Sequence, residues 1–211
     1  MSGGKSQANE SEHMLGLLKA VHENDSLTQR LAAKQVGVAL GLVNTYLKRC
    51  IKKGFVKVVS APRSRYSYYL TPKGFAEKSR LTAEYLSVSF NLFRATRAQY
   101  TELFEVCTRQ GWREIAIAGV GDLTEIALMC ANTDDINLVG FIDPAIGEPR
   151  YHDLPVLEDA ASFAGHAVII TDLADPQGTY DSLSKYIAEE RILVPDMLNV
   201  SRDKASEAAG G

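Results

Sequence analysis

The apolar periodicity of the chain changes once, near Arg113, and that change limits what the chain can fold into. Upstream, apolar residues recur at the i, i+3, i+4, i+7 spacing of helices. Downstream, short apolar runs with strand character alternate with helical stretches. The two patterns need separate cores, and 211 residues are enough for both. The expected architecture is an α+β N-terminal part followed by an α/β parallel sheet, joined by a long helical region.

Charge divides at nearly the same place. Residues 1–111 hold 17 Lys/Arg and 8 Asp/Glu, and the remainder holds 6 and 18, which together give the net charge of -3. Such segregation suggests that the first part meets a polyanion and the second does not, although a solvated basic surface would look the same. No run approaches about 18 consecutive apolar residues, and Met1-Ser-Gly-Gly-Lys-Ser lacks the apolar stretch of a signal peptide, so a cytoplasmic protein with no membrane contact is expected. Cys50, Cys107 and Cys130 are scattered within helical patterns and are expected as buried, reduced thiols, with no metal site.

Residues 1–11 and 201–211 are small and polar and read as mobile tails. A first helix is marked by Met14, Leu15, Leu17, Leu18 and Val21 and ends at Asn24. Ser26 can cap a second, Leu27 to Gln35, with Leu27, Leu31 and Ala32 on its apolar face. Gly37 suits the left-handed turn that leads into a third helix, Ala39 to Lys53. On this helix Val43, Leu47, Cys50 and Ile51 form the expected buried stripe, leaving Asn44, Thr45, Lys48, Arg49 and Lys52 off it. Helix, turn and polar helix match the geometry that places a recognition helix in the major groove of double-stranded DNA.

After Gly54, an expected C-cap, come two strand patterns, Phe55 to Val59 and Tyr66 to Leu70, joined by a loop carrying Arg63 and Arg65. They read as a wing. Residues 25–80 contain 12 Lys/Arg and two acids, Asp25 and Glu77. Phosphate contacts are expected from Lys48, Arg49, Arg63 and Arg65, and base reading from Asn44 and Thr45 beside Leu40 and Gly41 at the start of the helix. The competing reading is a winged helix that serves only as a protein-interaction module. A long helical stretch, Phe75 to about Gln110, follows Thr71-Pro72-Lys73-Gly74, with apolar faces from Leu81, Tyr85, Leu92, Phe93, Leu103, Phe104 and Cys107. Its length calls for burial against a partner, so a homodimer is expected.

The run LAAKQVGVALGLVNTYLKRCIKKGFVK from Leu31 to Lys57, with YLTPKG from Tyr69 to Gly74, resembles the MarR-like winged-helix regulators, most of all the group associated with exopolysaccharide gene clusters. The resemblance covers roughly residues 12–100. It implies that the recognition helix and wing contact DNA, that the flanking helices make a dimer, and that the target genes concern polysaccharides. Ala39 departs from the family by opening the recognition helix where a Ser or Thr cap is usual.

In the second part, strands are expected at Ile115 to Ala118, Leu138 to Asp143, Ala167 to Thr171 and Ile192 to Val194. Helices are expected at Leu123 to Ala131 and Thr179 to Glu190. The first strand runs into Gly119-Val-Gly121-Asp122-Leu123-Thr124, and Asp143 ends the next. In a Rossmann-like site Gly119 would permit the tight turn, Gly121 would let amides approach a phosphate, and Asp143 would accept from ribose hydroxyls. Thr124 stands where the dinucleotide fingerprint has its third glycine, and Asp122 would repel an anion. The alternative is a plain strand-to-helix connection. Thr171 and Asp172, at a later strand end, complete the candidate ligand residues.

Val139-Gly-Phe-Ile-Asp143 and Leu154-Pro-Val-Leu157 resemble the small Rossmann-like domains of sugar acetyltransferases and polysaccharide-modifying enzymes, which implies a nucleotide or nucleotide-sugar effector. The order of winged helix then Rossmann-like domain is also similar to the redox-sensing Rex repressors, which implies NAD(H) as an alternative. A domain that only dimerises or binds a partner is the third reading. The expected segments are therefore 12–74 for the winged helix-turn-helix, 75–111 for the helical region and 112–200 for the Rossmann-like domain. His152 and His166 have no Ser, Cys or carboxylate at a catalytic spacing, and no enzymatic activity is expected.

Overall fold

A computed structural model describes residues 3–24, 27–61, 65–131 and 135–202. The chain divides into two compact units, Met1–Phe90 and Asn91–Gly211, with the division inside one long helix.

The N-terminal unit begins with α1 (Gly3–Glu23), which extends through residues expected to form a tail. Its predicted stripe is realised: Met14, Leu15, Leu17, Leu18 and Val21 are all buried. Helix α2 (Gln29–Val36) is capped by Thr28, whose side chain accepts from the Leu31 amide at 3.2 Å, and not by Ser26, which lies outside the described residues. Its Leu31 is exposed, against expectation, and Ala32 is buried. Gly37 adopts the left-handed conformation (φ 72°) that reverses the chain. Helix α3 (Leu40–Lys52) starts at Ala39 without a side-chain cap.

Strands β1 (Val56–Ala61) and β2 (Arg65–Leu70) pair antiparallel from Val56↔Leu70 to Ala61↔Arg65. Helix α4 (Pro72–Arg109) opens on a compact device. The Thr71 hydroxyl donates to the Gly54 carbonyl at 2.6 Å and accepts from the Gly74 amide at 3.0 Å. Pro72 occupies the first turn, where no amide donor is needed. A Cβ on Gly74 would lie 2.0 Å from the Phe55 carbonyl oxygen, so only glycine fits there.

In the C-terminal unit β3 (Glu114–Ala118), β4 (Asn137–Ile142), β6 (Leu154–Leu157), β7 (Ala167–Ile170) and β8 (Ile192–Leu193) pair in parallel. A two-residue strand, β5 (Arg150–Tyr151), pairs antiparallel with β6, so the sheet is mixed, with the order β5-β6-β4-β3-β7-β8. Helix α5 (Asp122–Cys130) follows β3. Helix α6 (Pro176–Leu183) is shorter and earlier than the predicted 179–190. Asp175 caps it by accepting from the Gly178 amide at 3.0 Å. Tyr180, Leu183 and Ile187 are buried at helical spacing, but the chain reaches Ile187 after the helix ends, through turns.

The C-terminal half of α4 closes this core with Tyr100, Phe104 and Cys107, and the buried Tyr100 hydroxyl donates to the Ile170 carbonyl at 3.1 Å. Cys50 and Cys107 are free and buried, and burial pushes both thiols up to about 11. Cys130 is only half-buried, contrary to expectation. No helix among the described residues is long and apolar enough to cross a membrane.

Gly74→Ala is expected to destabilise the N-terminal unit by about 3 kcal/mol, because the added methyl meets rigid backbone. Chemical denaturation of the full chain checks this, and a loss within about 0.5 kcal/mol, typical of an unobstructed surface substitution, would contradict the packing described.

Candidate functional site

Burial sets the face that α3 presents. Val43, Tyr46, Leu47 and Cys50 point into the core, so the opposite side carries Gly41, Thr45, Lys48 and Lys52, all exposed. Leu40 and Leu42 flank its first turn at 40% and 39% exposure. Tyr46 takes the buried place predicted for Ile51, which is exposed. The Thr45 hydroxyl donates back to the Gly41 carbonyl at 3.0 Å.

Two predicted contact residues are turned elsewhere. The Asn44 side-chain oxygen is buried and has no hydrogen-bond partner among the described residues. The residue also lines a cavity of about 270 Å³, together with Gln29, Ile51, Val58, Tyr66 and Tyr68, in the seam between α3 and the wing. A bidentate contact with adenine needs both amide atoms exposed, so Asn44 as placed is not that reader. Arg49 pairs with Glu10 of α1 and lies over the Tyr46 ring at 5.8 Å from its centroid, so its charge is already partnered. Arg63 and the side chain of Arg65 lie outside the described residues.

Sequence reasoning missed Gln29, whose amide nitrogen donates to the Tyr68 hydroxyl at 3.3 Å and ties α2 to the wing. A contact across 39 residues leaves no local signal.

The C-terminal unit has a cleft of about 320 Å³ at the carboxyl ends of β3, β4 and β7. Of the eight predicted ligand residues, it brings together Gly119, Asp143 and Asp172. Gly119 has φ 91°, and a Cβ there would lie 2.7 Å from the backbone of Asp172, so the turn requires glycine twice over. Thr124 and Thr171 are buried beneath the turn. Their hydroxyls are 3.0 Å apart, and both donate to the Gly119 carbonyl, at 2.9 and 2.6 Å. Gly121 and Asp122 are exposed outside the cleft lining, and Leu123 is buried in the core.

The turn satisfies its own amides. Gly119 N–H donates to the Ile142 carbonyl at 3.0 Å, Val120 N–H to Asp143 Oδ2 at 2.8 Å, and Gly121 N–H to the Thr124 hydroxyl at 3.0 Å. Asp143 therefore holds the turn instead of standing free for ribose hydroxyls, its other oxygen accepting from Ala145 N–H at 2.8 Å. Asp172 accepts from the Thr179 hydroxyl at 2.6 Å and from the amides of Ala174 and Asp175. Burial works to raise the Asp172 carboxyl, and these bonds outweigh it, leaving its pKa below the ordinary value. Glu158, Asp159 and Asp175 also line the cleft, and among the described residues no Lys, Arg or His does.

His152 sits with Asp153 in the β5–β6 turn, both at positive φ. Its Nε2 lies 3.1 Å from Glu125, which also accepts from the Tyr151 hydroxyl at 2.5 Å, a contact that sequence spacing did not reveal. These bonds from Tyr151 and His152 lower the Glu125 carboxyl. His166 Nδ1 accepts from the Glu114 amide at 3.0 Å. Among the described residues no group of three or more His, Cys, Asp or Glu side chains could hold a metal ion.

No curated protein matches the chain in sequence. Among solved structures it is similar to MepR, a transcription regulator of the Staphylococcus aureus multidrug efflux pump MepA, at 26% identity and a TM-score of 0.34. That match covers 40% of the chain and 62% of MepR, so the chain spans about six tenths of that protein's length. Similarity to Sso10a-2, a DNA-binding protein from Sulfolobus solfataricus, covers 40% of the chain and 85% of that protein, at 21% identity and a TM-score of 0.35. The PcaV transcriptional regulator from Streptomyces coelicolor matches at 22% identity and a TM-score of 0.31, over 39% of the chain and 73% of PcaV. These overlaps are partial, and the assignment rests on a match of residues 11–57 to the family model for winged helix-turn-helix DNA-binding together with the geometry above. The N-terminal unit therefore carries a winged helix-turn-helix DNA-binding domain.

Proposed function

We propose that the chain is a dimeric, non-enzymatic transcriptional regulator that lays α3 in the major groove of DNA. The observation that carries this is the face of α3 left uncovered by the core, Gly41, Thr45, Lys48 and Lys52, within the segment matched to the DNA-binding family. Thr45 reads bases, beside Leu40, and Lys48 and Lys52 meet phosphate. The wing arginines Arg63 and Arg65 anchor the backbone on sequence grounds. Arg49 and Asn44 join only after leaving their present positions. Control of polysaccharide-related genes follows from the sequence resemblance alone.

A second copy covers α4. Tyr85, Leu86, Val88 and Phe90 of this helix are exposed, beside a groove of about 170 Å³ lined by Leu15 and Leu81. Tyr85 and Val88, three residues apart, share the side that borders the groove, and Leu86 and Phe90, four apart, lie around the helix from them, so large apolar groups are left bare on more than one side.

The C-terminal unit serves as a Rossmann-like ligand domain. With β5 set aside, the order β6-β4-β3-β7-β8 reverses direction at β3, and the cleft opens at the carboxyl ends on both sides of that reversal, where such sheets bind ligands. A nucleotide-sugar suits it through sugar hydroxyls donating to carboxylates. Its pyrophosphate, like that of NAD(H), finds the turn amides engaged and five carboxylates nearby. That observation favours a second reading, a domain that only assembles with a partner.

DNA affinity measured by fluorescence anisotropy is expected to fall linearly with log salt. Lys48→Ala should weaken binding about tenfold and reduce the slope by about one, while Arg49→Ala has the smaller effect. Salt-insensitive binding, or equal losses from the two changes, would count against this placement of α3.

Val88→Glu is expected to shift the full chain from dimer to monomer in analytical ultracentrifugation. A wild-type chain that sediments as a monomer would remove the dimer from the proposal. For the cleft, thermal-shift assays with nucleotide-sugars are expected to raise the unfolding transition, by about 2.7 kcal/mol of stabilisation at one hundred times Kd. A shift with NADH but not NAD+ selects the redox reading instead, and no shift with any of these compounds selects assembly.

A further inference from the structure

We infer that Gly41 is the point at which α3 lies closest to DNA, its missing side chain leaving room for the edge of a base; this rests on the DNA-binding reading of α3. Glycine inside a helix costs stability relative to alanine. It is retained where φ is positive or where a neighbour excludes a Cβ.

Two other helical glycines of the N-terminal unit meet the second condition to different degrees. A Cβ on Gly16 of α1 would touch Val36 of α2 at 3.4 Å, and one on Gly74 of α4 would collide with the Phe55 carbonyl oxygen at 2.0 Å. At Gly41 the backbone φ is ordinary, and a Cβ would meet nothing within 4 Å. The fold offers no reason for glycine here.

Its location does. Gly41 lies in the first turn of α3, in the exposed row that continues through Thr45, Lys48 and Lys52. That end of a recognition helix is the one whose residues reach base edges. Leu40 and Leu42 stand exposed on either side, so the missing Cβ leaves a notch between them. The Gly41 carbonyl already accepts from Thr45, so the notch offers space and not a new acceptor. A helix start with no side-chain cap at Ala39 is also a poor place for glycine on folding grounds.

The test uses the full chain to select duplexes from a random pool, then compares wild type with Gly41→Ala on a selected duplex and on a scrambled one. The alanine is expected to raise a calorimetric unfolding transition by roughly 4 °C. It should weaken binding to the selected duplex about tenfold and leave the scrambled duplex and the salt slope unchanged. Equal affinity for the selected duplex overturns the inference while the DNA-binding reading stands. Equal losses on both duplexes overturn the base-edge assignment, and an unfolding transition that falls or stays put shows that the glycine serves the fold. Failure of the wild-type chain to enrich any sequence overturns the DNA-binding reading itself, and the inference with it.

Discussion

The rotation of α3 about its own axis decides which residues the N-terminal unit presents, and four buried side chains fix that rotation. Val43, Tyr46, Leu47 and Cys50 are each at most 9% exposed, and the Cys50 sulfur lies 3.1 Å from that of Met14 on α1. Full burial of an apolar side chain contributes about 1.5–3 kcal/mol, so a turn of 100° about the axis, which would put Asn44, Leu47, Lys48 and Ile51 in this row, would lose part of that burial and bury a charge. The exposed pair Arg49–Glu10 contributes at most about 1 kcal/mol and follows the rotation instead of setting it. Core packing therefore aims the cationic face, and the turn at Gly37 and the wing tied through Gln29 and Tyr68 frame it.

The C-terminal unit depends in the same way on one buried knot. Thr124 from α5 and Thr171 after β7 meet under the Gly119 turn and share its carbonyl, joining the ends of two neighbouring strands. Both are essentially fully buried, so these hydroxyls must be satisfied internally, and they are. The same economy of partners engages the amides of Gly119, Val120 and Gly121 and turns Asp143 into a support. The carboxylates around the cleft are mostly occupied with local amides and hydroxyls. Among the described residues no lining cation opposes their negative charge, which disfavours an anion there.

Much of this was legible in the sequence because periodicity records burial. The α1 stripe, the helices on both sides of Gly37, the wing and four of the five parallel strands appear where apolar spacing places them, within a few residues, and the fifth, Leu154–Leu157, where the resemblance places it. The failures have local physical causes. Ser26 and Thr28 are equally good caps by chemistry, and only the path of the chain selects Thr28. Residues 3–10 lack an apolar pattern, yet they extend a helix nucleated by the strong stripe that follows. Strand β5 spans two residues, too short for any pattern. Asn44 and Arg49 have the right chemistry on the right helix, but each is captured by a partner or a seam distant in sequence. The glycine turn was located correctly, while the engagement of its amides depends on Asp143, more than twenty residues away.

The proposed dimer rests on more than the exposed area of α4. From Thr82 to Ala95 no residue is buried, and the sequence there includes Ser87, Val88, Ser89, Phe90 and Asn91, all weaker helix formers than alanine or leucine. Arg80 clasps Glu77 and Glu84 at the start of the stretch, but exposed pairs on one helix contribute only a few tenths of a kcal/mol each. A stretch of only about 14 residues with that composition is marginal as a helix in water when nothing covers it. Propensity and surface charge cannot hold it, which leaves burial of Tyr85, Leu86, Val88 and Phe90 as the term large enough to do so. In the proposed dimer a second copy would supply that burial, and the segment that links the two units of each chain would then also join the chains.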